Sequence, residues 1–204
     1  MFKKILLSIL ILSYFSFGIE YEDIKNAYYR SYQYEKSGNY EDAIKALIPL
    51  YKEYPNGYTI NLRLGWLYYL DKKYANSIYH YEKAMKLLPS SVEAKLGYTL
   101  PLLSQNRYSD VEKVCYQILN IDFYNYYGNL RLSFVLRMQN KFTLAEKVIN
   151  KMLALYPTDT NFLVELGLLK FATGKKEEAK KIFNDVLILD PENVIAREYL
   201  KKLK

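Results

Sequence analysis

The chain has few of the residues from which catalytic and metal sites are usually built. Its 204 residues include one cysteine, Cys115, one histidine, His80, and one tryptophan, Trp66. A single thiol excludes an internal disulfide framework and any zinc site made of paired thiolates. A single imidazole excludes multi-histidine metal sites and a two-histidine acid/base pair. Glycine (8) and proline (6) are too sparse for a collagen-like or linker-like chain. No glycine-rich phosphate loop occurs, and the adjacent carboxylates Glu41 with Asp42 and Glu177 with Glu178 read as helix N-terminal acids that favour the dipole. No catalytic residue, cofactor or metal is expected, and the chain reads as a non-enzyme.

Aromatic and apolar mass is abundant instead. Tyrosine alone occurs 23 times, aromatics make up 16% and hydrophobic residues 50%, which a disordered chain does not carry. Charged residues reach 25% with a formal net charge of +7. Lysines alternate with glutamates, as in Lys175, Lys176, Glu177 and Glu178, which reads as a solvated helix face. The clustered basic surface that nucleic-acid binding requires is missing, so no nucleic-acid partner is expected.

Lys3 and Lys4 precede an apolar stretch, Ile5 to Phe17, closed by Ser16, Phe17 and Gly18. This is the order of a secretory signal over residues 1–18, and the run is short for a membrane span, which needs roughly 20 residues. No cysteine lies near the cleavage point to carry a lipid. Export to a periplasmic or extracellular location is expected, with membrane association only if the segment stays uncleaved. The charge of +7 includes Lys3 and Lys4, so a chain starting at Ile19 carries +5.

The sequence repeats. Leu64-Gly65 realigns with Leu166-Gly167 at three periods of 34, and Pro55, Pro89, Pro157 and Pro191 fall on the same period, with Phe123 in the vacant slot. Ala43, Ser77, Ala145 and Ala179 also recur, with Val111 in the gap, and Tyr40, Tyr74 and Tyr108 share another slot. Five frames follow without insertion: 24–57, 58–91, 92–125, 126–159 and 160–193. Each holds two blocks of helix-period apolar residues around a polar break such as Gln105-Asn106-Arg107 or Thr173-Gly174-Lys175. Residues 194–204 form a last amphipathic helix, with Ala196, Leu200 and Leu203 on one side, and read as a cap.

The second frame carries Leu64, Gly65, Tyr68, Tyr74, Ser77, Tyr81, Ala84 and Pro89, and the fifth carries Leu166, Gly167, Ala179, Phe183 and Pro191. At these spacings the chain resembles the tetratricopeptide repeat family over essentially all of its length after residue 18. The resemblance implies an all-α, right-handed superhelical solenoid of helix hairpins, a binding scaffold in which first helices line a concave face. Such units cannot bury their faces alone and must stack. Pro101 inside a first helix, four residues after Gly97, predicts a kink, and Pro49 predicts a bend in the second helix of the first unit.

Slots five, nine and twelve of each first helix share one stripe. In order they hold Tyr28, Tyr32 and Glu35; Leu62, Trp66 and Tyr69; Leu96, Leu100 and Leu103; Leu130, Phe134 and Arg137; Val164, Leu168 and Phe171. The hairpin core is assigned to slots four, seven, eight and eleven. An exposed stripe of this kind would approach roughly 600 Å², a patch that soluble proteins usually cover. The groove residues expected to meet a partner are Tyr28, Tyr32, Leu62, Trp66, Tyr69, Leu100, Leu130, Phe134, Leu168 and Phe171. The competing reading is that a tight superhelix packs them against one another. Relatives that clamp a chaperone's terminal carboxylate place Lys and Asn where this chain has Tyr28, Tyr32 and Leu62, so that subgroup's resemblance fails. Arg63, Arg131 and Arg137 are the polar groove candidates for an acidic group, with ordinary surface arginines as the plainer reading.

Three roles follow from the sequence. The first is an exported scaffold or assembly factor whose groove takes an apolar or aromatic segment of another protein. The second is a structural homo-oligomer packing through grooves or solenoid ends. The third is a membrane-tethered adaptor that keeps the signal. His80 and Cys115 read as packing residues.

Overall fold

The computed structural model describes residues 20–203; the signal assigned to residues 1–18 lies outside them. All regular elements among the described residues are α-helices. The first unit is α1 (Tyr21–Lys36) followed by α2 (Tyr40–Lys45) and α3 (Ile48–Glu53). Four uninterrupted hairpins follow: α4 (Tyr58–Leu70) with α5 (Tyr74–Leu87), α6 (Val92–Ser104) with α7 (Tyr108–Ile121), α8 (Tyr126–Met138) with α9 (Phe142–Leu153), and α10 (Thr160–Ala172) with α11 (Lys176–Leu189). The last helix is α12 (Val194–Lys202). Each helix packs on its neighbours in sequence, and the first helices also pack on one another, α4 on α6 and α8 on α10, which builds a right-handed solenoid.

The 34-residue period is visible in the backbone. Each hairpin turns on one left-handed residue: Gly38 (φ 75°), Lys72 (58°), Asn106 (55°), Asn140 (58°) and Gly174 (77°). At each turn the following amide reaches five residues back, as Lys73 N–H does to Tyr68 O and Lys175 N–H to Lys170 O. This is the Schellman closure that satisfies the orphan carbonyls of the first helix. The starts of the first helices repeat as well. The side chains of Ser91, Asn125, Asp159 and Asn193 each accept from the amide three residues on, and these caps stand 34 residues apart. Because α12 begins with the same cap, it sits as a sixth first helix.

Prolines act as their chemistry requires. Pro49 cannot donate to the carbonyl of Lys45, and α2 ends at Lys45. The chain restarts as α3 with Pro49 in its first turn, so the second helix is interrupted over Ala46 and Leu47, both of which keep right-handed helical dihedrals. Pro101 has a milder effect: α6 continues through it as one helix. Gly97 answers to a different neighbour, because a Cβ there would stand 2.2 Å from the Tyr81 ring. Tyr81 packs against Gly65 and Gly97, and Gly167 accommodates Phe183 in the same way.

Three apolar clusters share the core. One is built around Leu47, Leu64 and Leu67, a central one around Leu102, Cys115, Leu132, Leu136 and Ile149, and a third around Phe183 and Ala196. Slot four lies in the core as its assignment requires, but not always with an apolar residue. In three units that slot is polar and buried: Asn61, Lys95 and Asn129. Each side chain donates to two carbonyls of the preceding loop, Asn61 to Pro55 O and Gly57 O, Lys95 to Pro89 O and Ser91 O, Asn129 to Phe123 O and Asn125 O. These donors tie one unit to the next, with Asn61 Oδ1 met by His80 and Asn129 Oδ1 left buried without a partner among the described residues.

Candidate functional site

The groove divides into an open half and a filled half. Near the N-terminus, α1, α4, α6 and α8 enclose a cleft of about 570 Å³ whose lining includes Tyr28, Tyr32, Leu62, Trp66, Leu96 and Leu100. Near the C-terminus, Val164 and Leu168 are buried within the third cluster. Phe171 stands edge-on to Tyr199 of α12, ring centroids 4.9 Å apart. α12 supplies the next first helix, and its Tyr199 packs on the end of the stripe at Phe171, which stays half-buried. Leu130 and Phe134, midway, are half-buried against the central cluster, and Phe134 meets Tyr108 at 6.0 Å. Tyr69 is half-buried between Trp66 (5.7 Å) and Tyr74 (6.2 Å).

Three arginines have three different environments. Arg137 forms a two-pronged pair with Glu165, Nε to Oε2 at 2.9 Å and Nη2 to Oε1 at 3.1 Å, so its charge is matched within the protein. Arg63 is only 7% exposed and pairs with Glu35 and Ser31, while its guanidinium lies 3.7 Å from the Tyr32 ring centroid. Glu35 also accepts from Trp66 Nε1 at 2.7 Å, so one carboxylate fixes both the arginine and the indole. The plainer reading of Arg63 as a surface arginine is therefore overturned: it is a buried floor residue.

Arg131 reaches back from α8 to α6. Its Nη1 donates to Leu96 O and to Thr99 Oγ1. No carboxylate among the described residues lies within ion-pair distance of it, and desolvation pulls its pKa below the ordinary arginine value. The Tyr28 hydroxyl is buried in the same cleft without a hydrogen-bond partner, although Thr59 stands beside it, and burial raises its pKa. Arg63 Nε is also buried and unpartnered.

Several lining residues lie outside the fifth, ninth and twelfth slots. Tyr58 donates or accepts at 2.7 Å with Ser91 and reaches Glu93 at 3.3 Å. Tyr126, two periods on, makes the equivalent contact with Asp159 at 3.0 Å. The signal was a tyrosine at the first slot of both units, which the groove stripe does not include. Tyr81, one of the residues that carry the family resemblance, packs against Gly65 and Gly97 and also lines the cleft.

His80 and Cys115 lie away from the cleft lining. His80 is buried, stacks on Tyr68 at 5.3 Å and meets Asn61 Oδ1 through Nδ1 at 3.0 Å. Desolvation, helped by Lys83, lowers its pKa to about 4. Cys115 is fully buried, and burial pushes its thiol up to about 12, well away from the reactive thiolate range. Among the described residues no group of three or more His, Cys, Asp or Glu side chains could hold a metal ion, and no helix is long and apolar enough to cross a membrane.

Residues 31–92 and residues 160–193 each match a model described as tetratricopeptide repeat. The chain therefore carries tetratricopeptide repeats, and its fold is the α-solenoid of that class. Superkiller protein 3 of Schizosaccharomyces pombe is 28% identical over 201 aligned residues that take in 93% of this chain. The chain spans only 14% of that protein's length. Among solved structures, MamA from Desulfovibrio magneticus RS-1 superposes with a TM-score of 0.76 at 16% identity, covering 85% of this chain and 98% of that one. A thermophilic tetratricopeptide repeat protein of Thermus thermophilus superposes with 0.66 at 15% identity, over 88% and 97%. At these identities the structures share the fold.

Proposed function

We propose that this protein is an exported, non-enzymatic scaffold or assembly factor that binds an apolar or aromatic segment of another protein in the N-terminal half of its concave groove. Repeats of this class mediate contacts with proteins and peptides. The observation that supports the site is the cleft of about 570 Å³ between α1 and α8, walled by Tyr28, Tyr32, Leu62, Trp66 and Leu100. Rigid aromatics on packed helices lose little entropy on binding and supply anchor contacts. The C-terminal stripe residues Leu168 and Phe171 are left out of the partner surface, because their apolar area is already spent on the core and on Tyr199. Removal of residues 1–18 belongs to the same proposal, and mass spectrometry of the mature chain tests it: a mass starting at or near Ile19 supports export, and an intact Met1 contradicts it.

A photo-reactive amino acid at Leu100, against one at the exposed convex residue Lys147, tests the site. Adducts to another protein from position 100 and none from 147 are expected. Adducts from both positions alike, or from 147 alone, overturn the groove assignment. If position 100 yields only a covalent dimer of this chain, and light scattering shows a dimer at micromolar concentration, the homo-oligomer reading replaces it.

A further inference from the structure

We propose that the cleft selects an aspartate or glutamate side chain carried among apolar residues of the bound segment, with Arg131 as the group that reads it. This rests on the groove reading above and adds the chemistry of the ligand. The cleft presents one guanidinium with donors still free for a ligand. Arg131 uses Nη1 on Leu96 O and Thr99 Oγ1, while its Nε and Nη2 make no hydrogen bond among the described residues. Arg63, 7% exposed, leaves its Nε–H unpartnered, and Tyr28 leaves its hydroxyl unpartnered. All three residues line one cleft, drawn from α8, α4 and α1. Arg63 Nε and the Tyr28 hydroxyl are sealed from solvent, whereas Nε and Nη2 of Arg131 are not among the buried unpartnered atoms and stay reachable from the cleft, so Arg131 is the donor that a ligand can meet.

The other buried or nearly buried basic side chains show how unusual this is. Arg137 is matched by Glu165, Lys170 by Glu146 and Glu178 at 2.8 Å each, and Arg63 by Glu35. Lys95 is taken up by loop carbonyls. Arg131 alone of these faces a cleft with a planar fork open and no carboxylate within ion-pair distance among the described residues. A carboxylate is the ligand that fits such a fork. Glu93 lines the same cleft, held by the Tyr58 hydroxyl, and Glu35 lies behind Arg63, so a doubly charged phosphate would meet repulsion that a single carboxylate largely escapes. The donors alternate with Leu62, Trp66, Leu96 and Leu100, which places the acid among apolar side chains and favours an internal residue over a chain end.

The test uses the full chain as bait for a display library of twelve randomised residues flanked by fixed glycine-serine arms, so that no free carboxyl terminus lies near the variable region. Enriched sequences are expected to share one Asp or Glu between apolar or aromatic residues. An amidated synthetic peptide of that sequence should shift Trp66 fluorescence on binding. Changing its acid to the amide should weaken binding about tenfold or more. The same change should cost less than twofold against Arg131→Met, with Arg131→Lys as a second variant that keeps the charge without the fork. Enriched apolar peptides with no fixed acid overturn the carboxylate while leaving the groove reading intact. An acid-to-amide cost that persists unchanged in Arg131→Met overturns the role of Arg131. Binding that needs a free chain end in place of the internal acid overturns the internal-residue assignment. If no peptide is enriched, or if binding ignores Trp66→Ala, both this inference and the groove reading fail.

Discussion

The ring of Tyr81 occupies the space that a side chain at Gly97 would need: a Cβ built on Gly97 would stand 2.2 Å from Tyr81 Cε1 and 2.5 Å from Cζ. A Cβ at Gly65 would crowd the same ring at 2.9 Å. Tyr81 is 3% exposed, so relieving the clash would require the buried ring to shift. Gly97→Ala should therefore destabilise the fold by about 2 kcal/mol, within the range for overpacked cores. Thermal unfolding should show a midpoint several degrees lower, and an unchanged midpoint would mean that the ring can move aside.

Stability should fall as His80 becomes protonated. Its pKa is about 4 in the folded protein against 6.5 for the free group, because burial excludes the charged form. The unfolded state then binds the extra proton first, and stability is fully present above pH 6.5 and is lost as pH falls toward 4. The loss across that window is roughly 2–3 kcal/mol, at 1.36 kcal/mol per unit. Urea midpoints at pH 7.5 and 5.0 should differ for the native chain and converge in His80→Gln. A midpoint difference that survives the substitution would assign the effect to other groups.

Three hairpin turns carry a non-glycine residue at positive φ, and Lys72 is the one without a short polar side chain to ease it. Lys72→Gly should stabilise by about 0.5–1 kcal/mol, with a smaller gain at Asn106 or Asn140. Gly38→Ala should do the reverse although nothing crowds the site, since the strain there is conformational. Denaturant midpoints of the four variants decide this; an equal or opposite ordering would contradict the turn assignment.

The Arg137–Glu165 pair is nearly dry, with side-chain exposures of 13% and 11%. Removing one partner strands a charge, so Glu165→Gln or Arg137→Met should each cost roughly 3 kcal/mol, and the double variant less than their sum. Strict additivity in the double-mutant cycle would show that the two do not act as a pair. Ligand binding in the N-terminal cleft should be unaffected by the double variant.

Much of the architecture was legible because a repeat amplifies its own signal. Small residues at Gly65, Gly167, Ala43 and Ala179, seen at one spacing, define where helices must approach, and an all-α solenoid follows. The groove was only half legible. Slots five, nine and twelve mark a face, and a face does not reveal what lies against it: Leu168 is buried in the C-terminal cluster and Phe171 is half-buried against Tyr199 of α12, which begins with the same cap as a first helix. Arg63 and Arg131 were visible as residues, but their burial depends on Glu35, Ser31, Leu96 and Thr99, partners about 28 to 35 residues away in sequence. Asn61, Lys95 and Asn129 fall in a slot assigned to the core, but their bonds to the preceding loop were not read. Their polarity at a strict 34-residue spacing was the available signal.

The groove divides into an open N-terminal cleft and a C-terminal half packed against the third cluster and α12. The most direct measurement is the affinity of the protein crosslinked through Leu100, measured by titration calorimetry against Trp66→Ala and Phe171→Ala, each confirmed folded by circular dichroism. Trp66→Ala should weaken binding about tenfold or more, as loss of a central aromatic anchor does, while Phe171→Ala stays within about twofold of the native chain. Unchanged affinity in Trp66→Ala, or an equal loss in both variants, would contradict it.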